Sequence, residues 1–191
     1  MSISIKAVNI VSSKEFIKEK FGKESLQKVI EALSEKDRQI IDPPELYGYE
    51  LIDLDSWTNF FKEVVAQLSG GDESVIEEAG RHNAIFELKT MYRIFLEFVN
   101  PEFSIKMIPT IFSTYFTSDE YKMYATTAKL EKNKYLIKAH RFETRFRLME
   151  IGILGWLKEF FDRSGGKEVN VVISKSLTQG EGIIEYIVSW K

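Results

Sequence analysis

The chain has 191 residues, and its 26 Lys and Arg against 29 Asp and Glu give a formal net charge of -3 with no long run of either sign, which sets nucleic acid aside as a partner. Hydrophobic residues make up 44%, with 14 Phe, 8 Tyr and 3 Trp, enough to fill one large core, so a single domain over 1–191 is expected. The lack of cysteine excludes a disulfide framework, a thiolate nucleophile and any cysteine-ligated zinc, iron–sulfur or haem site.

Residues 3–11 are rich in Ile and Val and predict a strand. Lys6 interrupts the run and no small-residue cleavage signature follows, so it does not read as a signal peptide, and a cytoplasmic protein is expected. A helix capped at Ser12 or Ser13 follows and stops at Gly22. Leu26, Val29, Ile30 and Leu33 recur at helical spacing and predict a second helix with one apolar face. Asp42-Pro43-Pro44 and Gly48 predict a loop over 42–55. Asp55 or Ser56 then caps a strongly amphipathic helix carrying Trp57, Phe60, Phe61, Val64, Val65 and Leu68, which ends at Gly70-Gly71.

A long helix is predicted from Asp72 or Ser74 to about Val99, with Val75, Ile76, Ala79, Phe86, Met91, Tyr92, Phe95 and Phe98 inward. Another, 101–115, buries Phe103, Met107, Ile108, Ile111 and Phe112, and Pro109 is expected to kink it or cut it short. Alternation on both sides of Lys132-Asn133 predicts a hairpin. A helix over 144–162 follows; its stretch from Phe146 to Phe161, interrupted by Arg147, Glu150 and Lys158, reads as a core helix and not a membrane span. Two strands, 168–174 and 183–190, close the chain around a turn at 178–182. The order predicts an α+β fold, with helices packed on one side of a four-stranded antiparallel sheet.

Chemistry is sparse. The two histidines, His82 and His140, do not stand at a metal-binding spacing, and no nucleophile elbow or phosphate loop occurs, so neither an enzyme nor a metal site is expected. Glu150 has Phe146, Ile153 and Leu154 on its helical face; it reads as a polar anchor in a pocket, or as a partner of Arg147 or a nearby strand. Glu87 poses the same question beside Ala84, Met91 and Tyr92. Arg141, Arg145 and Arg147 beside His140 form either an anion clamp or a solvated helix entry.

The segment Glu77-Glu78-Ala79-Gly80-Arg81-His82-Asn83 resembles the Val-Gly-Arg-Gln-Asn segment of haem nitric oxide/oxygen-binding (H-NOX) domains. The first strand, the helix ending Lys20-Phe21-Gly22-Lys23, the helix from Asp55 to Leu68, and the final helix with its two strands fall in the same order, so the likeness spans nearly the whole chain. It implies a pocket between helices and sheet, with Asn83, Ala84 and Glu87 on the distal wall, Phe112, Phe146 and Met149 opposite, and Glu150 as the polar anchor.

In that family a histidine ligates iron and a Tyr-x-Ser-x-Arg triplet binds the propionates. Here residues 83–139 contain no histidine, the corresponding helix reads Ile108-Pro109-Thr110-Ile111-Phe112-Ser113, and His140-Arg141-Phe142-Glu143-Thr144 stands where the triplet would be. The expectation is therefore a divergent, cofactor-free member, related to vinyl-reductase-like sensor modules and bacterial paralogues. It would bind a largely apolar small molecule and pass a shift of its first or last helix to a signalling partner protein; a homodimer is left open. The alternatives are a haem-based gas sensor ligated by His82, His140 or a tyrosine, and a module that binds only protein.

Overall fold

A computed structural model describes residues 3–90, 100–118 and 123–191. In chain order it has β1 (Ile3–Lys6), α1 (Val8–Phe21), α2 (Lys23–Ala32), α3 (Glu35–Ile41), β2 (Leu51–Asp53), α4 (Leu54–Leu68) and α5 (Ser74–Thr90). Then come α6 (Pro101–Tyr115), β3 (Phe116–Ser118), β4 (Tyr124–Glu131), β5 (Lys134–His140), α7 (Arg147–Arg163), β6 (Asn170–Lys175) and β7 (Ile183–Ser189). Among the described residues no helix is long and apolar enough to cross a membrane.

The first strand is shorter than its apolar run. Ala7 N donates to Glu50 O at 2.8 Å and Val8 N to Gly48 O at 2.9 Å, so the loop before β2 satisfies donors that a capping side chain would otherwise take. Helix α1 therefore starts at Val8, and Ser12 and Ser13, expected as caps, lie buried inside it. Gly48 packs tightly here: an added Cβ would sit 3.1 Å from Val8 Cβ. Ser34 caps α3, a helix that the periodicity did not separate from α2. Helix α4 begins at Leu54, one residue before the expected caps: Asp55 pairs with Arg145, and Ser56 donates to buried Asp37 at 2.7 Å.

Helix α5 is described as far as Thr90; the expected core positions Met91, Tyr92, Phe95 and Phe98 lie outside the described residues. The Asn100 side chain caps α6, and Pro109 sits inside a helix that continues to Tyr115 and is not cut short. Phe103, expected inward, is 47% exposed, because the first turn of α6 turns Ser104 and Ile105 to the core instead.

Two sheets form. The four-stranded one runs β4-β5-β7-β6, all antiparallel, with its first hairpin turning at Asn133 in the left-handed region (φ 54°). Its register stacks Ala125, Ala139 and Ile184 in one row and Ile137 with Tyr186 in the next. These are all buried, beneath α6 and α7. β1 does not join it: it pairs with β2 and β3 in a small second sheet, with both partners only three residues long. Helices α5 and α7 pack closely against each other, and α7 also packs on β6.

Candidate functional site

Helices α5 and α7 cross at glycines. A Cβ on Gly80 would collide with the Gly152 carbonyl, and one on Gly155 with the Glu77 carbonyl, so both backbones approach more closely than any side chain allows. Glycine inside a helix costs about 1 kcal/mol against alanine, which is recovered here as close packing. Beside the crossing lies a cavity of about 50 Å3. Gly80 and Asn83 reach it from α5; Met149, Gly152, Ile153 and Trp156 from α7; Ile111, Phe112 and Tyr115 from α6; and Ile5, Asn9, Trp57 and Phe61 from the other side.

Its polar neighbours are already engaged. Asn83 Oδ1 accepts from Ser12 Oγ at 2.5 Å and from Ser13 Oγ at 3.1 Å, which fastens this wall residue to α1. Trp57 Nε1 donates to Asn9 Oδ1 at 2.6 Å. Behind the opposite wall Glu87 is wholly buried, and Trp156 Nε1 donates to its Oε2 at 2.7 Å. Burial pushes the Glu87 carboxyl up to about 7, against the pull of the neighbouring Tyr115 hydroxyl, the Trp156 indole N–H and the Lys6 charge.

Of the residues expected at a pocket, Asn83, Phe112 and Met149 line this cavity; Ala84, Glu87, Phe146 and Glu150 do not. Ala84 is buried elsewhere on α5, and Phe146 packs under the Arg145 guanidinium, which lies 4.6 Å from its ring centroid. Glu150 is buried, but it accepts from Ser176 Oγ at 2.8 Å and from the Leu177 amide at 2.9 Å. It fastens the turn after β6, while Arg147 pairs with Glu73.

His82 lies against the Phe16 ring with Nε2 3.4 Å from Glu19, and its Nδ1 is buried with no partner among the described residues. His140 stacks on Tyr124 at 4.5 Å, with Nε2 3.1 Å from the Thr126 hydroxyl. Burial and then the charge of Lys138 hold its imidazole below the usual range. Neither histidine reaches the cavity. The anion clamp is also corrected: Arg145 binds Asp55 and Glu143, Arg147 binds Glu73, and the guanidinium of Arg141 lies over Tyr124, so carboxylates of the chain already occupy two of the three.

Sequence reasoning did not single out Trp156, Tyr115 or the crossing glycines. One signal was present: Gly152 and Gly155 stand three apart within the apolar stretch 151–157, a spacing that puts two bare backbone positions on one face.

No family model and no curated protein matches the sequence. Solved structures do match. The H-NOX protein of S. oneidensis in its Fe(II)NO state is 10% identical, with 98% of this chain and 99% of that chain covered and a TM-score of 0.75. The Fe(II) unliganded H-NOX protein of K. algicida is 11% identical over 98% and 97%, with a TM-score of 0.72. A structure addressing haem redox potential and porphyrin distortion is 15% identical over 98% and 95%, also with a TM-score of 0.72.

These neighbours overturn the expectation of a domain without a cofactor, since they are described with ferrous iron, nitric oxide and haem. The cavity wall of this chain nevertheless carries no histidine, lysine or arginine among its described residues, and the space of about 50 Å3 is far below the roughly 300–1,000 Å3 of sites for larger ligands. These residues do not fit a histidine-ligated haem with paired propionates. Among the described residues no group of three or more metal-ligating side chains occurs. Similarity over 98% of the length, from the first strand to the last, shows that the chain has the H-NOX fold.

Proposed function

We propose that the chain is a sensor domain that takes a gas or a haem-type ligand at the cavity beside the α5–α7 crossing and presents the resulting change of packing to a partner protein. The observation that carries this reading is the cavity: about 50 Å3 of largely apolar space, in a fold that in S. oneidensis H-NOX carries Fe(II)NO. One water needs roughly 10–15 Å3, so the space suits a gas-sized molecule without rearrangement, and a larger group only if the aromatic walls open.

The surroundings favour a receptor over a catalyst. Asn83 spends its side-chain oxygen on Ser12 and Ser13, and among the described residues no nucleophile stands with a base on the wall. Because Asn83 is tied to α1 and Trp156 belongs to α7, a ligand that moves the wall moves both helices. Signalling requires that the ligand favour one of two packings.

The test is a titration of purified protein with ferrous haem, read by the Soret band with and without nitric oxide, beside equilibration with xenon read by NMR. A Soret band that moves on adding nitric oxide, or xenon-dependent shifts confined to Asn83, Met149 and Ile153, is the expected result. Absence of both overturns the reading.

A further inference from the structure

The loop that leads into β2 is fixed by its backbone and exposes its large side chains. Glu50 O and Gly48 O accept from the amides of Ala7 and Val8, and Glu50 N donates to Tyr47 O at 3.0 Å, so the stretch from Tyr47 to Glu50 is pinned to the start of α1. Of the seven large hydrophobic side chains exposed among the described residues, three stand here: Tyr47 at 48%, Tyr49 at 72% and Leu51 at 52%. Single exposed apolar groups are ordinary, but a gathered patch marks a contact surface.

Two features give this patch a chemistry. The Tyr47 and Tyr49 rings stack, with centroids 5.6 Å and planes 13° apart, and the exposure of Tyr49 leaves a flat π-face open to solvent. Two carboxylates flank the stack: the Tyr47 hydroxyl donates to Glu45 Oε2 at 2.8 Å and the Tyr47 amide to Glu50 Oε2 at 2.9 Å. Neither has a cationic partner among the described residues; Lys14 is taken by Asp42, and Lys6, opposite Leu51 on β1, bonds to neither.

A ring face attracts a cation, and an unpaired carboxylate accepts from one. The guanidinium group meets both demands at once, because it is planar enough to stack and its fork of N–H donors matches a carboxylate, whereas the ammonium of lysine is compact and more strongly hydrated. The same two negative charges repel nucleic acid and anionic lipid headgroups. In an extended segment side chains two positions apart share a face, so a segment that lays arginine on Tyr49 can also lay an apolar side chain on Leu51.

We propose that Tyr47, Tyr49 and Leu51 form a docking surface for an arginine on an extended segment of a partner protein, with its guanidinium on the Tyr49 ring and against Glu45 or Glu50. The proposal rests on the sensor reading for the role of that partner, and not for the binding itself. Because the platform is already pinned to α1, docking orders little of this chain.

The test is an NMR titration of the full 15N-labelled chain with a blocked peptide, Ac-Gly-Leu-Gly-Arg-Gly-Leu-Gly-NH2, and with versions carrying lysine or citrulline in place of arginine. Saturable amide shifts centred on residues 45–51 are expected, with the neutral citrulline peptide about tenfold weaker and the lysine peptide between the two. Tyr49→Ala should weaken the arginine peptide about fivefold, and Glu45→Gln with Glu50→Gln about threefold, with the rest of the spectrum unchanged because all three side chains lie at the surface. An arginine peptide that moves no amide of 45–51, that binds no better than its citrulline version, or that is indifferent to Tyr49→Ala overturns the proposal. Broadening that grows with protein concentration in the absence of peptide and disappears in Tyr49→Ala assigns the surface to a second copy of this chain and overturns the choice of occupant. Xenon and haem titrations read the cavity separately, so failure of the peptide leaves the cavity reading standing, and an empty cavity leaves the docking surface standing.

Discussion

Glu87 on α5 and Glu150 on α7 are equally hidden from solvent, yet their partners differ in kind. Glu150 is met by a hydroxyl and a backbone amide of the turn after β6, and its own carbonyl accepts from the Tyr186 hydroxyl at 2.9 Å. Those partners are parts of the scaffold, so the carboxylate works as a fastener. Glu87 accepts from the indole N–H of Trp156, whose ring is a wall of a space. Burial alone does not separate the two roles; what separates them is whether the partner is fixed backbone or a ring that borders a cavity.

The largest expected effect removes the crossing that puts Glu87 at this depth. Gly155→Ala or Gly80→Ala drives a methyl group into a backbone carbonyl, and the repulsion outweighs the gain in helix propensity of about 1 kcal/mol. Each is expected to destabilise by about 3 kcal/mol, read as a lower urea midpoint at every pH. Next comes Glu87→Gln. A carboxyl raised from 4.5 to about 7 on folding carries no penalty below 4.5; the penalty grows as pH rises between those values and is full above them. The shift corresponds to about 3 kcal/mol, so the unaltered protein should lose stability from pH 5 to pH 8 relative to the Gln variant. Parallel stability curves for the two proteins would erase the contrast drawn between the glutamates.

Glu150→Ala leaves the Ser176 hydroxyl and the buried Leu177 amide without their acceptor and should cost about 2 kcal/mol, with xenon affinity unchanged. A variant that also loses xenon would place Glu150 in the cavity's own network. The smallest effect is Ser12→Ala, about 1 kcal/mol by thermal denaturation, because Ser13 still holds Asn83.

The sequence made the fold legible where periodicity was long. The faces of α2 and α4 and the hairpin at Lys132-Asn133 were all readable, since amphipathic spacing and turn chemistry are local. Short elements escaped. β2 and β3 have three residues each and exist through pairing with β1, a contact between distant parts of the chain. Ser12 and Ser13 read as caps because nothing nearby in sequence shows that Asn83, some 70 residues on, would claim their hydroxyls. The site was half legible for the same reason. Asn83, Phe112 and Met149 came from a resemblance, whereas the hydrogen bond from Trp156 to Glu87 joins two helices that only tertiary packing brings together.

At Gly80 and Gly155 the contact is made by peptide units, which every amino acid shares, and the discriminating feature is a missing atom. Most buried positions in this chain accept another apolar group of similar volume, because a core can be refilled. A position whose contribution is emptiness has no such substitutes. The sites least open to mutational drift are therefore those with no side chain at all, and a library screen of α5 and α7 should recover fewer residue types at these two glycines than at any aromatic beside them.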